Sequence, residues 1–152
     1  MKKKILLIVW LCSTLFLLNL LHAKPKGMSS EEYSLYKAAY MGRLRKVERL
    51  LEKGVNPSVK SPNSKRTPLH IACTKGRFKI VKCLVEKGAD LDAKNEDGKT
   101  PLQFAATKNK MKIVKYLVQK GAQITKAIID EVSKEEIKQY LQEKMNGTSK
   151  QI

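Results

Sequence analysis

Arg66-Thr67-Pro68-Leu69-His70-Ile71-Ala72-Cys73 returns 33 residues later as Lys99-Thr100-Pro101-Leu102-Gln103-Phe104-Ala105-Ala106. The segment after it repeats with the same offset: Ile80-Val81-Lys82-Cys83-Leu84-Val85-Glu86-Lys87-Gly88-Ala89 becomes Ile113-Val114-Lys115-Tyr116-Leu117-Val118-Gln119-Lys120-Gly121-Ala122. A weaker, earlier copy closes in Val47-Glu48-Arg49-Leu50-Leu51-Glu52-Lys53-Gly54-Val55. Self-similarity at a fixed period of this size means stacked units, none of which can bury its apolar face alone.

Each unit reads as a pair of short helices. Thr67 and Thr100 are N-caps, because their hydroxyls can accept the free amide hydrogens of a first turn. Pro68 and Pro101 follow at the first helical position, where a missing N–H costs nothing. Leu69, Ala72 and Cys73, like Leu102, Ala105 and Ala106, give the first helix one apolar face with small residues that allow close approach. Val81, Leu84 and Val85, with Val114, Leu117 and Val118, give the second helix its stripe. Gly54, Gly88 and Gly121 end second helices in the left-handed conformation. Asp97-Gly98 marks a hairpin tip between units, and the equivalent stretch, Lys60 to Arg66, holds one extra residue and predicts a differently shaped hairpin.

A period of 33 with Thr-Pro-Leu-His-x-Ala resembles the ankyrin repeat family. The resemblance implies an all-α solenoid of helix-turn-helix pairs joined by β-hairpin-like loops, three repeats plus a truncated C-terminal cap. The repeat domain is expected over residues 31–145, with copies at about 31–61, 62–94 and 95–127, a cap at 128–145 and a tail at 146–152. Ser29-Ser30-Glu31-Glu32 opens the first copy as a capping box. Ser133-Lys134-Glu135-Glu136 opens the cap's final helix through Ile137, Leu141 and Lys144, and the first half of that copy is expected to be lost.

Ahead of the repeats, Met1-Lys2-Lys3-Lys4 precedes an apolar run from Ile5 to Leu21. That is a secretory signal pattern, with cleavage expected after Ala23 and residues 24–30 as a linker. Leu21 is large for its place before the cut, and the run also reaches the lower limit for a membrane span, so a retained anchor at residues 5–21 is the alternative. Cys12 lacks the small residues that precede an acylated cysteine and reads as part of the apolar run. Either way the repeats are expected outside the cytoplasm, secreted or periplasmic.

The formal charge is +17 over 152 residues, and removing the three lysines at positions 2–4 leaves 28 basic against 14 acidic residues. This excess points toward anionic partners. Aromatic residues, at 6%, are too few for a stacking platform for single-stranded nucleic acid. With His22 in the signal, His70 is the sole histidine left for chemistry, and the resemblance gives it a turn-ordering role that Gln103 could share. Cys73 and Cys83 read as core thiols. Asp90, Asp92, Glu96 and Asp97 lack the spacing of a calcium loop and read as a solvated turn. No catalytic residue, metal site or cofactor is expected, and Asn146-Gly147-Thr148 is a glycosylation sequon only in a eukaryotic host.

What remains is a surface, presented by an expected monomer. The resemblance places partner recognition on hairpin tips and the exposed first-helix face: Asn63, Ser64, Arg66, Thr74 and Lys75 in one copy, and Glu96, Asp97, Lys99, Thr107 and Lys108 in the next. Tyr40 and Met41 match the helical positions in the first copy. The expected partner is a protein of unknown identity. Setting the copies in register also aligns three basic rows: Arg43, Arg77 and Lys110; Arg45, Lys79 and Lys112; and Lys53, Lys87 and Lys120. The third row complements helix C-termini. The first two lie near helix N-termini, where the dipole disfavours a cation, so local stability does not explain them and a polyanion is the alternative ligand: anionic lipid, envelope polymer or, as the poorer candidate, nucleic acid. Membrane contact would also follow from a retained anchor.

Overall fold

The computed structural model of the chain describes residues 26–148, so the N-terminal run read as an export signal lies outside the described residues. Four antiparallel helix pairs follow one another. These are α1 (Ser30–Met41) with α2 (Leu44–Glu52), α3 (Pro68–Lys75) with α4 (Phe78–Glu86), α5 (Pro101–Thr107) with α6 (Met111–Gln119), and α7 (Lys126–Glu131) with α8 (Glu135–Thr148). Among the described residues there are no strands, and the architecture is the expected all-α solenoid.

The caps form as the sequence dictates. Ser29 and Glu32 close a capping box on α1, Thr67 and Thr100 accept the N–H of the third residue of α3 and α5, and both prolines sit in the first turn. First helices pack on first helices and second on second. The first-helix layer is tight because Ala38 and Ala39, Ala72 and Cys73, and Ala105 and Ala106 present small, fully buried side chains to their neighbours. Leu35, Leu69 and Leu102 form one buried row through that layer, and Leu50, Leu84, Leu117 and Leu141 form another through the second helices. Each fully buried leucine contributes about 1.5–3 kcal/mol, shared between its own helix pair and the neighbouring unit.

Two expectations are corrected. The stripe of the second helix is Ile80, Val81 and Leu84, repeated as Ile113, Val114 and Leu117; Val85 and Val118 are half-buried beside it. In the fourth unit the first helix is not lost. Thr125 caps α7, only three residues beyond Ala122, whereas Thr100 lies eleven beyond Ala89. Eight residues of hairpin are missing and both helices remain, with Ile128, Ile129, Ile137 and Leu141 closing the core.

The two hairpins differ by the extra residue. Ser61 and Arg66 bracket the first loop through Ser61 N–H to Arg66 C=O, with Lys65 at φ +50°; Asn95 and Lys99 bracket the shorter second, with Gly98 at φ +73°. A hydrogen bond from Glu96 N–H to Ser64 C=O joins the two hairpins edge to edge at 3.0 Å.

Candidate partner-binding surface

His70 is where the repeat motif becomes structure. Thr67 N–H donates to its Nδ1 at 3.1 Å, which leaves the proton on Nε2 to donate to Lys99 C=O of the next hairpin at 3.0 Å. Its ring meets Phe104 edge to face at 5.5 Å. Burial holds its pKa below the ordinary value of 6.5, and the nearby Arg66 adds to the effect. The histidine is a neutral tie between two repeats with both ring nitrogens engaged, and has none to spare for proton transfer. Gln103 does different work: it reaches forward to the Glu131 carboxylate on α7, which Lys99 also grips at 3.1 Å, and these hydrogen bonds lower the Glu131 pKa.

The hairpin acids are structural as well as solvated. Asp90 N–H donates to Ser58 Oγ at 2.8 Å, and Asp92 Oδ1 accepts from Gln123 N–H at 2.9 Å, so successive repeats are stitched together along this edge. Burial raises the thiol pKa of Cys73 and, less completely, of half-buried Cys83; both are free.

Of the ten positions expected to meet a partner, the structure leaves Asn63, Lys75, Glu96, Asp97 and Lys108 exposed. Asp97 Oδ2 also receives the Asn95 amide. The other five are partly committed. Ser64 bonds Ser61, Lys99 pairs with Glu131, and the Arg66 guanidinium lies flat over Phe104, 4.6 Å from its centroid. Thr74 and Thr107 donate their hydroxyls to the His70 and Gln103 carbonyls of their own helices. Lys75 extends over the Tyr40 ring at 4.2 Å, and Tyr40 and Met41, about half exposed, are the exposed large hydrophobic residues among those described.

The first two basic rows occupy the turns within each pair, and the third lies at the opposite ends of the second helices. Arg43, Arg77 and Lys110 are the N-cap residues of α2, α4 and α6, and Lys53, Lys87 and Lys120 their C-caps. The expectation that local stability leaves the first row unexplained fails for two members. Arg77 lies over Gly42, so that a Cβ there would meet its Nε and Cζ at 2.9 Å, and Lys110 lies over Gly76 in the same way at 3.0 Å. Gly42 and Gly76 are the left-handed C-caps of α1 and α3. Each cation therefore sits at the negative end of the preceding repeat's first helix, where the dipole favours it. In the second row Lys112 packs over Phe78 at 4.5 Å and Arg45 faces Glu48 at 3.7 Å.

Ankyrin repeats, in three copies, match residues 15–128. The chain belongs to the ankyrin repeat family. Such repeats are in general protein–protein interaction modules and typically carry no catalysis. No curated protein matches the chain.

Proposed function

We propose that this ankyrin-repeat chain is a non-catalytic module that works outside the cytoplasm and grips a protein partner through its hairpin tips and first-helix face. The observation that carries the reading is the joined edge: Glu96 N–H on Ser64 C=O, and His70 on Lys99 C=O, hold the two hairpins as one continuous rim. Asn63, Glu96 and Asp97 project from that rim, and Lys75 and Lys108 from the helices behind it. Rigid spacing with variable outward side chains suits recognition of a folded surface. The extracytoplasmic site rests on Lys2-Lys3-Lys4 followed by the apolar run.

The test is capture from the extracytoplasmic fraction with the wild-type chain and with an Asn63→Arg, Glu96→Arg, Lys108→Glu variant. A partner retained by the wild type and lost by the variant supports the reading; equal retention refutes it. The first two basic rows lie at the turns within each helix pair, and for them a polyanion is the ligand.

A further inference from the structure

The turns inside the helix pairs share a pattern that the ladders alone do not convey. Met41-Gly42-Arg43-Leu44-Arg45-Lys46, Lys75-Gly76-Arg77-Phe78-Lys79-Ile80 and Lys108-Asn109-Lys110-Met111-Lys112-Ile113 each carry three cations, and none carries an acid. The fourth turn breaks the pattern with Glu135 and Glu136. Stacking at the usual interhelical spacing of 8–10 Å lines up nine cations along an edge about 20 Å long. Among the described residues, Arg45 alone of the nine has a carboxylate within ion-pair distance, Glu48 at 3.7 Å. Most of the positive charge on this edge is therefore without a carboxylate partner.

The edge is not purely polar. The first residue of each second helix is apolar, Leu44, Phe78 and Met111, and all three are half-buried between the cations. A groove of about 330 Å³ has Leu44, Phe78 and Ile80 as its floor and Arg77, Lys79 and Lys112 as its walls. At the N-terminal end of the same edge stand Tyr40 and Met41, 49% and 48% exposed.

We infer that the helix-turn edge docks on the surface of a bilayer containing anionic phospholipid, with the nine cations over the headgroups and Tyr40 and Met41 at the interface. Charge complementarity selects an anionic ligand, and an apolar floor between cations selects an amphiphilic one. A phosphodiester backbone would meet that floor without benefit, and Lys112 already lies over the Phe78 ring where a base would stack. A repeating array with six lysines among nine cations is also unlike the centre of a protein interface, where lysine is depleted. Polybasic surfaces held near anionic lipid gain about fivefold in partition for each cation. The inference deepens the polyanion reading of the basic rows and shares only Lys75 and Lys108 with the hairpin-rim reading.

The experiment is co-sedimentation of the full chain with vesicles of phosphatidylcholine alone and of equal parts phosphatidylcholine and phosphatidylglycerol. The variant is Arg45→Glu, Lys79→Glu, Lys112→Glu, with a duplex DNA of matched phosphate concentration as the competing ligand. An acid at the second residue of a helix complements the dipole, which offsets the lost Lys112–Phe78 and Arg45–Glu48 contacts, so this variant should fold, which circular dichroism verifies. Wild type and variant share the N-terminal apolar run, so their difference reports the edge alone. The expected result is a preference of wild type for the anionic vesicles that falls at least about a hundredfold in the triple variant. Tyr40→Ser with Met41→Ser should weaken vesicle binding severalfold and leave DNA binding unchanged. Equal binding of wild type and variant to anionic vesicles overturns the inference. So does tighter binding to DNA than to vesicles, which would assign the edge to nucleic acid. An Asn63→Arg, Glu96→Arg variant leaves all nine cations in place, so its effect on partner capture is read separately from either outcome.

Discussion

His70→Ala should remove a large part of the stability of the stack. The substitution leaves the buried Thr67 N–H without an acceptor, at a cost of about 1–3 kcal/mol. The Lys99 carbonyl loses one of two donors and keeps Asn95 N–H, so its share is smaller, about 1 kcal/mol. The edge-to-face contact with Phe104 adds about 0.5–1.5 kcal/mol. The sum, about 3–5 kcal/mol, compares with a total of 5–15 kcal/mol for an ordinary domain. Urea unfolding followed by far-ultraviolet circular dichroism measures it directly.

A second readout separates this role from mere space filling. The folded pKa of His70 lies below the unfolded value near 6.5, so the unfolded chain takes up a proton that the folded chain refuses. The wild type should therefore be fully stabilised above pH 6.5 and should lose stability as pH falls through and below that value, whereas His70→Ala should lack this component. A destabilisation below about 1 kcal/mol, or a stability profile between pH 6.5 and the carboxylate range that the substitution leaves unchanged, would refute the reasoning.

Two further substitutions test the cation over the turn. Gly54→Ala should cost about 1–2 kcal/mol for the left-handed backbone alone, since nothing lies near its Cβ position, while Gly42→Ala should cost more because Arg77 must move away. Thermal melts should show that excess disappearing in an Arg77→Ala background. In the native state, a maleimide should label half-buried Cys83 and spare Cys73 until the stack unfolds, as mass spectrometry can show.

The repeats could be read from the chain because their signals are local: a threonine cap, a proline one residue later, an apolar stripe and a terminal glycine lie within one helix pair. The fourth unit escaped because deleting eight hairpin residues shifts Thr125, Ile137 and Leu141 out of the 33-residue register while leaving the helices intact. Contacts between units escaped for a related reason. Arg77 on Gly42, Asp92 on Gln123 and Gln103 on Glu131 join residues about one repeat apart, and no single repeat contains both partners. For the surface, register identified which positions point outward. It could not show that the Thr74 and Thr107 hydroxyls are bonded within their own helices, or that Arg66 is spread over Phe104. Lys75 and Lys108, which reach solvent, belong to both the first-helix face and the basic edge.

Site-specific photo-crosslinking in cells that express the chain tests the interaction surface most directly. The cross-linking residue is placed at Glu96 and at Lys108, and separately at Lys82 and Lys115 on the exposed faces of α4 and α6. The account predicts adducts with one protein partner from Glu96 and Lys108 and none from Lys82 or Lys115. Adducts from Lys82 and Lys115 alone would contradict it.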